Sequence, residues 1–449
     1  MSKTIKFLFF LGFIFLSKFV FAQTPADSTK RDTTLKKVLP FSIANEKKLS
    51  DEDLLNKKEG IYVTGLPDFS SDPVNGFGYG GDASIFFNGK KTDPFFEYTA
   101  YRAEIGIRLF NTSRAQREIA LALDVPYLFN TKWRLRVETA YESNPNLLYF
   151  GINEKSLGKL YNPGDSSKSY KKYKDYESDL SGEFEFYNTY NKKEFHLNAS
   201  MERAYFDGKV RLLGGIEVAY VDMSTFKGQS KLKYDFDNKL ALGLGKYWVT
   251  FAQVGFIYDT RDLEPDPSKG IFAELTNELS LKALGSTYNF NKTFVHVNYY
   301  NKILPGAFKK LVFAGRASMG YTAGDAPFFE YQDQWSSEGS IEGLGGPNTL
   351  RGYKQSRFLG RMMSFNNLEL RYRFAETQFF KQHFAFSAVP FYDVGGVWDD
   401  FKSFSKFNNF RDSEGLGLRI AWNVNTIIRF DYAISKEDKQ FFFNLHHSF

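Results

Sequence analysis

Five histidines and no cysteine leave this chain of 449 residues little room for metal or thiol chemistry. Thiolate metal sites and disulfides are excluded, and the histidines fall in no HExxH or similar spacing. Serine chemistry lacks a Gly-x-Ser-x-Gly elbow. His446, His447 and Ser448 stand together near the end of the sequence with no evident serine–acid framework. Gly76-Phe77-Gly78-Tyr79-Gly80-Gly81 has the glycine spacing of a phosphate loop, but no helical pattern follows it and no Walker lysine appears. In strands, such glycines let a barrel bend or another backbone come close. Arg351 is one of the arginines of the long, glycine-rich segment 321–362. A guanidinium offers a planar fork able to engage two carboxylates, and partial burial strengthens that contact. This chemistry holds a chain in place rather than breaking a bond; on an open loop, Arg351 would be a plain surface charge. The residues therefore read as no enzyme, no metal and no cofactor.

The elements that position such residues are strands. Near the end of the sequence, Phe441, Phe443, Leu445, His447 and Phe449 alternate with Phe442, Asn444, His446 and Ser448. A mostly apolar face against a more polar one suits the closing strand of a transmembrane β-barrel, with lipid outside and a polar lumen inside. Those five residues are the expected barrel closure and assembly signal. Candidate strands are 77–88, 98–109, 117–125, 131–141, 181–190, 194–206, 210–221, 249–260, 270–281, 292–300, 310–320, 363–374, 384–397, 413–422, 426–434 and 441–449. That makes sixteen, an even number as single-chain bacterial barrels have; residues 235–247 are merged into the crossing that follows them. Leu416, Leu418, Ile420 and Trp422 alternate with Gly415, Gly417, Arg419 and Ala421. Charges at Arg419, Arg429 and Asp431 are costly in lipid and cheap in a wet lumen. Short links near 126–130 and 423–425 read as periplasmic turns, and 142–180 and 321–362 as extracellular loops. The 49 Phe and 27 Tyr fit interfacial girdles. A large soluble all-β protein is the alternative.

The compartment is read from the other end. Lys3 and Lys6 precede an apolar run from Phe7 to Phe21, and Val20 and Ala22 sit at the minus-three and minus-one positions of a cut before Gln23, which is the order of a secretory signal peptide over 1–22. Its loss removes Lys3, Lys6 and Lys18 and leaves a nearly balanced charge, so no nucleic-acid surface is implied. Residues 23–76 are expected to be a short periplasmic segment, with a helix near 45–58 capped by Ser50, and 77–449 the barrel in the outer membrane.

Gly345-Gly346-Pro347-Asn348-Thr349-Leu350-Arg351-Gly352-Tyr353 resembles the BamA/TamA-type outer-membrane barrel superfamily, also called bacterial surface antigens. Tyr258-Asp259-Thr260-Arg261-Asp262, with Gly270 following, is similar to the family's Asp-Thr-Arg-Asp segment. Gly415–Arg419 and Arg429–Ala433 resemble its last strands, and Leu148–Ile152 a weaker signature. The resemblance implies a sixteen-stranded antiparallel barrel whose long extracellular loop folds into the lumen. It implies that Leu350, Arg351, Gly352 and Tyr353 form the loop tip, with the arginine on Glu369 and Asp393 of the next two strands. It also implies work on protein assembly or translocation through a weakly zipped seam. The family's insertases carry periplasmic POTRA modules, for which residues 23–60 are too short. The expectation is a POTRA-less accessory subunit whose partners are outer-membrane lipids and periplasmic or outer-membrane assembly proteins. A channel or surface-structural barrel without protein-handling activity is the alternative.

Overall fold

A computed structural model describes residues 38–72, 76–308 and 310–449 of the chain. The expected signal peptide and its cut before Gln23 lie outside the described residues. Residues 39–449 form one compact unit. Its frame is a sixteen-stranded antiparallel sheet whose strands pair in chain order. They are β1 (Ile61–Asp72), β2 (Gly76–Phe87), β3 (Ala103–Thr112), β4 (Arg117–Val125), β5 (Trp133–Leu148), β6 (Thr189–Tyr205), β7 (Val210–Thr225) and β8 (Gly245–Asp259). The second half comprises β9 (Gly270–Ser280), β10 (Phe290–Lys302), β11 (Leu311–Gly324), β12 (Met362–Phe379), β13 (Gln382–Trp398), β14 (Arg411–Trp422), β15 (Thr426–Ser435) and β16 (Lys439–Leu445). No helix among the described residues is long and apolar enough to cross a membrane.

The period-two pattern decides which way each strand faces, and it is inverted relative to a soluble protein. On β12, Leu368, Leu370 and Tyr372 are exposed while Asn367, Glu369 and Arg371 are buried. A lysine or arginine on the lipid face costs about 2–4 kcal/mol at the bilayer midplane, and a one-residue slip of register would put several there at once. Short turns gather at one end of the barrel (206–209, 380–381, 423–425) and long loops at the other (149–188, 226–244, 325–361). Short turns face the periplasm in such barrels, so residues 39–60 and 446–449 lie at the periplasmic end.

The number of strands agrees with the sequence reading, but two memberships differ. Residues 181–190 are not a strand: Gly182–Phe184 is a 3-10 turn, and β6 begins at Thr189. The missing strand is β1, so the barrel starts at Ile61 and not at 77, inside the stretch expected to be periplasmic. Gly65 and Pro67 mask its pattern. Proline donates no ladder hydrogen bond and belongs on an edge, and β1 is an edge strand paired only with β2, Pro67 opposite Gly81. Residues 231–237 form a helix capped by Ser230, which takes the start of the stretch 235–247 that was merged into the next crossing. The last strand stops at Leu445, four residues early, and His446 turns the chain with φ of 64°.

Among the described residues no ladder joins β1 to β16. β16 has 7 residues against 18 in β12. Where β16 has ended, β1 meets β15 through the Thr64 and Thr426 hydroxyls at 3.1 Å, and Asn425 donates to Asn88 at 3.3 Å.

The loop 325–361 fills the lumen. Leu344, Leu350, Tyr353 and Phe358 are buried against Phe294, Phe365 and Val397 of the wall. Deeper down, the Thr276 hydroxyl donates to the Trp335 carbonyl at 2.9 Å, and Glu274 accepts from the Ser336 hydroxyl at 2.6 Å and the Ser337 N–H at 2.9 Å.

Candidate functional site

The loop tip ends on Arg351, which is fully buried. Its guanidinium holds Asp393 with both arms of the fork, Nε at 2.8 Å and Nη2 at 2.7 Å, while its backbone N–H donates to the same carboxylate at 3.2 Å. Nη1 donates to Glu369 at 2.7 Å and to Asp431 at 3.3 Å. The residues converge because β12, β13 and β15 each turn an acid inward at one level. Asp393 stands opposite Asn367 in the β12–β13 register, two residues from Glu369. The Phe391 ring lies over the guanidinium, its centroid 3.4 Å away. Gly352 follows because nothing larger fits: a Cβ there would sit 2.6 Å from Ser413 and 2.8 Å from Ser435. Leu350 and Tyr353 pack into the apolar cluster on either side of the arginine.

The site is wider than the sequence indicated. Arg419 donates to Asp431 at 2.6 Å and Glu369 at 3.3 Å, and Arg371 to Glu369 at 2.9 Å. Asn367 bridges Asp393 and the Thr349 carbonyl, both at 2.7 Å, and accepts from Arg316. Five guanidiniums (Arg316, Arg351, Arg371, Arg419, Arg429) thus surround three carboxylates in a water-poor centre. Removing one partner of such a buried pair typically costs 3–5 kcal/mol, roughly, because the other charge stays behind. Sequence reasoning had placed Arg419, Arg429 and Asp431 on the lumen face but not at this site. The register that brings them in pairs Gly417 with Asp431 and Arg419 with Arg429; Gly417 leaves the space that Asp431 and Arg419 occupy.

The Asp259–Gly270 motif builds a periplasmic turn. Asp259 accepts from Arg211 at 3.2 Å and from Arg261 at 3.1 Å. Arg261 also pairs with Glu338 of the lumen loop. Thr260 and Ile271 exchange bonds across the turn, and Asp262 accepts the N–H groups of Leu263, Ser268 and Lys269. Gly270 has φ of 110°, and a Cβ there would lie 2.3 Å from the Thr260 carbonyl oxygen, so only glycine closes this turn.

The closing residues divide. Phe441, Phe443 and Leu445 belong to β16, and Phe441 faces outward. His447 and Phe449, expected on the same lipid face, turn into the lumen. His447 Nε2 lies 3.0 Å from Asp266 of the 260–269 turn. Ser448 donates to Glu369 at 2.9 Å, and its carbonyl accepts from Arg316 at 3.1 Å. The Phe449 carbonyl accepts from Arg371 at 2.9 Å, and its ring packs on Tyr300. These buried cations and acids outbid lipid for a short polar tail. Burial, aided by Arg371, lowers the His447 pKa to about 4.

A sixteen-stranded transmembrane barrel with an extracellular loop pinned in its lumen by one arginine is the class that fold and site define. Residues 96–449 match the Omp85 superfamily domain, and the chain belongs to that superfamily, whose barrels lie in the Gram-negative outer membrane. Residues 39–102 match a Domain of unknown function, DUF5982. Among curated proteins the chain is 27% identical over 201 residues to the outer membrane protein assembly factor BamA of Nitratidesulfovibrio vulgaris, a match over 41% of this chain and 23% of that protein. The chain thus spans about a quarter of that relative. Among solved structures, CdiB from Escherichia coli shares 10% identity with a TM-score of 0.50, over 86% of this chain and 61% of that one. BamA from Haemophilus ducreyi lacking POTRA domains 1-3 shares 14% identity with a TM-score of 0.49, over 87% and 70%.

Proposed function

We propose that this chain assists the assembly or translocation of other proteins at the outer membrane, as an accessory subunit whose periplasmic client handling is supplied by partner proteins. The observation that carries this reading is the combination of a pinned lumen loop with an unpaired seam. Arg351 fixes 325–361 inside the barrel, while among the described residues β1 presents a ladder edge with no strand on it. A solute channel has no use for an unpaired edge, and a filled lumen obstructs it. An edge strand is a template for another chain. Before β1, residues 39–60 carry a 3-10 turn, Asn45–Lys47, and a short helix, Asp51–Asn56 (α1). We assign 1–22 as signal peptide, 23–60 as periplasmic lead-in, and Leu350–Tyr353 with Glu369 and Asp393 as the loop anchor.

The experiment is native purification from membranes in mild detergent, paired with depletion. Co-purification of periplasmic or outer-membrane assembly proteins, with loss of other barrels on depletion, is the expected result. Steady conductance by the barrel alone, with an unaltered envelope on depletion, would instead establish a channel.

A further inference from the structure

Two of the five arginines around the loop tip donate to no carboxylate. Glu369 accepts from Arg351, Arg371 and Arg419, Asp393 from Arg351, and Asp431 from Arg351 and Arg419. Arg316 commits its guanidinium to neutral oxygens: Asn367 Oδ1 at 3.0 and 2.8 Å, the Ser448 carbonyl at 3.1 Å and the Asn348 carbonyl. Arg429 donates to Asn348 Oδ1 at 2.9 Å, while its Nε stays 3.9 Å from Asp431. Among the described residues the Nε and Nη1 of Arg429 have no hydrogen-bond partner, although the side chain is only 1% exposed.

These two arginines meet at one residue. Asn348 receives Arg316 on its backbone oxygen and Arg429 on its side chain. Strand register adds a third cation: Arg419 on β14 stands directly opposite Arg429 on β15. Like charges in that position repel unless something negative lies with them. The Nε of Arg419 is also unpartnered among the described residues. A buried N–H without an acceptor and a buried cation without an acid each destabilise a fold, and here both fall on the same spot. Pro347 and Asn348 are only half-buried, so solvent reaches the edge of this spot from the loop.

We propose that a small oxyanion binds beside Asn348, on the free N–H groups of Arg429 and within the field of Arg316, and that it fastens the loop tip together with Arg351. The class of ligand follows from the donors. A guanidinium presents its N–H groups in one plane and matches the oxygens of a carboxylate or a phosphate. Arg429 supplies the hydrogen bonds. Arg316, whose nitrogens all have partners, supplies charge alone. The same geometry names the substitution that makes the anion redundant: Asn348→Asp puts a carboxylate where the Asn348 Oδ1 already accepts from Arg429.

The test uses the full chain folded in an uncharged detergent, with potassium formate as the probe and the bulky sulfonate MES as reference at equal ionic strength. Formate lengthens the half-life of the folded gel form at a fixed raised temperature, about tenfold at ten times its dissociation constant. It also slows proteolysis of 325–361, and radiolabelled formate stays with the native barrel in equimolar amount. Asn348→Asp carries its own carboxylate, so its half-life is the same in formate and MES and it retains no label. Arg429→Met, which removes both the donors and the charge, loses the same responses and stands in if Asn348→Asp does not fold. Equal half-lives of the native barrel in formate and MES overturn the proposal, and a water molecule serving Arg429 would give that result. A formate response that survives in Arg429→Met overturns it as well.

Discussion

Arg351 carries three acids, and the consequences of losing it differ from those of losing any one of them. In Arg351→Ala the carboxylates of Glu369, Asp393 and Asp431 stay buried with fewer cations. The local cost is about 3–5 kcal/mol, far above an exposed pair. We expect limited proteolysis to cut 325–361 in this variant while the heat-modifiable barrel persists. Arg351→Lys restores protection only in part, since an ammonium cannot grip Asp393 with two arms at 2.8 and 2.7 Å. Asp431→Asn loosens the loop less than Asp393→Asn does, because its contact with Arg351 is single and 3.3 Å long; hydrogen exchange of loop amides ranks the two. His447 supplies a pH dependence. Its folded pKa of about 4 lies below the ordinary 6.5, so the undocked tail takes up a proton more readily. Docking of 446–449 is complete above pH 6.5 and weakens as pH falls toward 4. Thiol labelling of Ser448→Cys should accelerate across that window, and flat labelling rates would dispose of the assignment. At this scale Arg351, Glu369 and Asp393 were legible in sequence because they sit in motifs. Asp431 was legible only as a lumen charge, since which acid meets which arginine depends on cross-strand register, and a register cannot be read from one strand.

At the scale of elements, the seam governs. β1 escaped sequence reading because Pro67 and Gly65 interrupt its strand pattern, and among the described residues its one ladder partner is β2. The inward turn after Leu445 was hidden because alternation continues formally to Phe449; only the partners Arg316, Arg371 and Asp266 reveal where the tail goes. Strands β12 to β15 were read well because lipid on one face and charge on the other impose a period that nothing interrupts. The prediction at this level concerns Thr64 and Thr426. Their hydroxyls lie 3.1 Å apart, within reach of disulfide geometry after Thr64→Cys with Thr426→Cys. The oxidised pair should form in high yield on membranes and abolish the protein's contribution to assembly, and reductant should return it. Full activity in the oxidised state would show that β1 and β15 need not part.

For the whole molecule, three separate segments enter one lumen: residues 39–60 from before the barrel, 325–361 from its extracellular side, and 446–449 from beyond its last strand. They meet through shared partners. Lys47 and Arg261 share Asp259, Arg261 reaches Glu338, and Arg351 and Ser448 share Glu369. A barrel so filled should run faster unheated than boiled in detergent gels and fractionate with the outer membrane. Recovery of a folded form without detergent would contradict the architecture. The sharing of Glu369 also gives the molecule a clock. Arg351 cannot meet all three of its acids until β12, β13 and β15 are in place, and Ser448 lies downstream of every strand. The charge cluster therefore reports completion: a chain halted before β16 holds an arginine-rich centre still missing its last bonds, leaving the loop and the final strand to finish together.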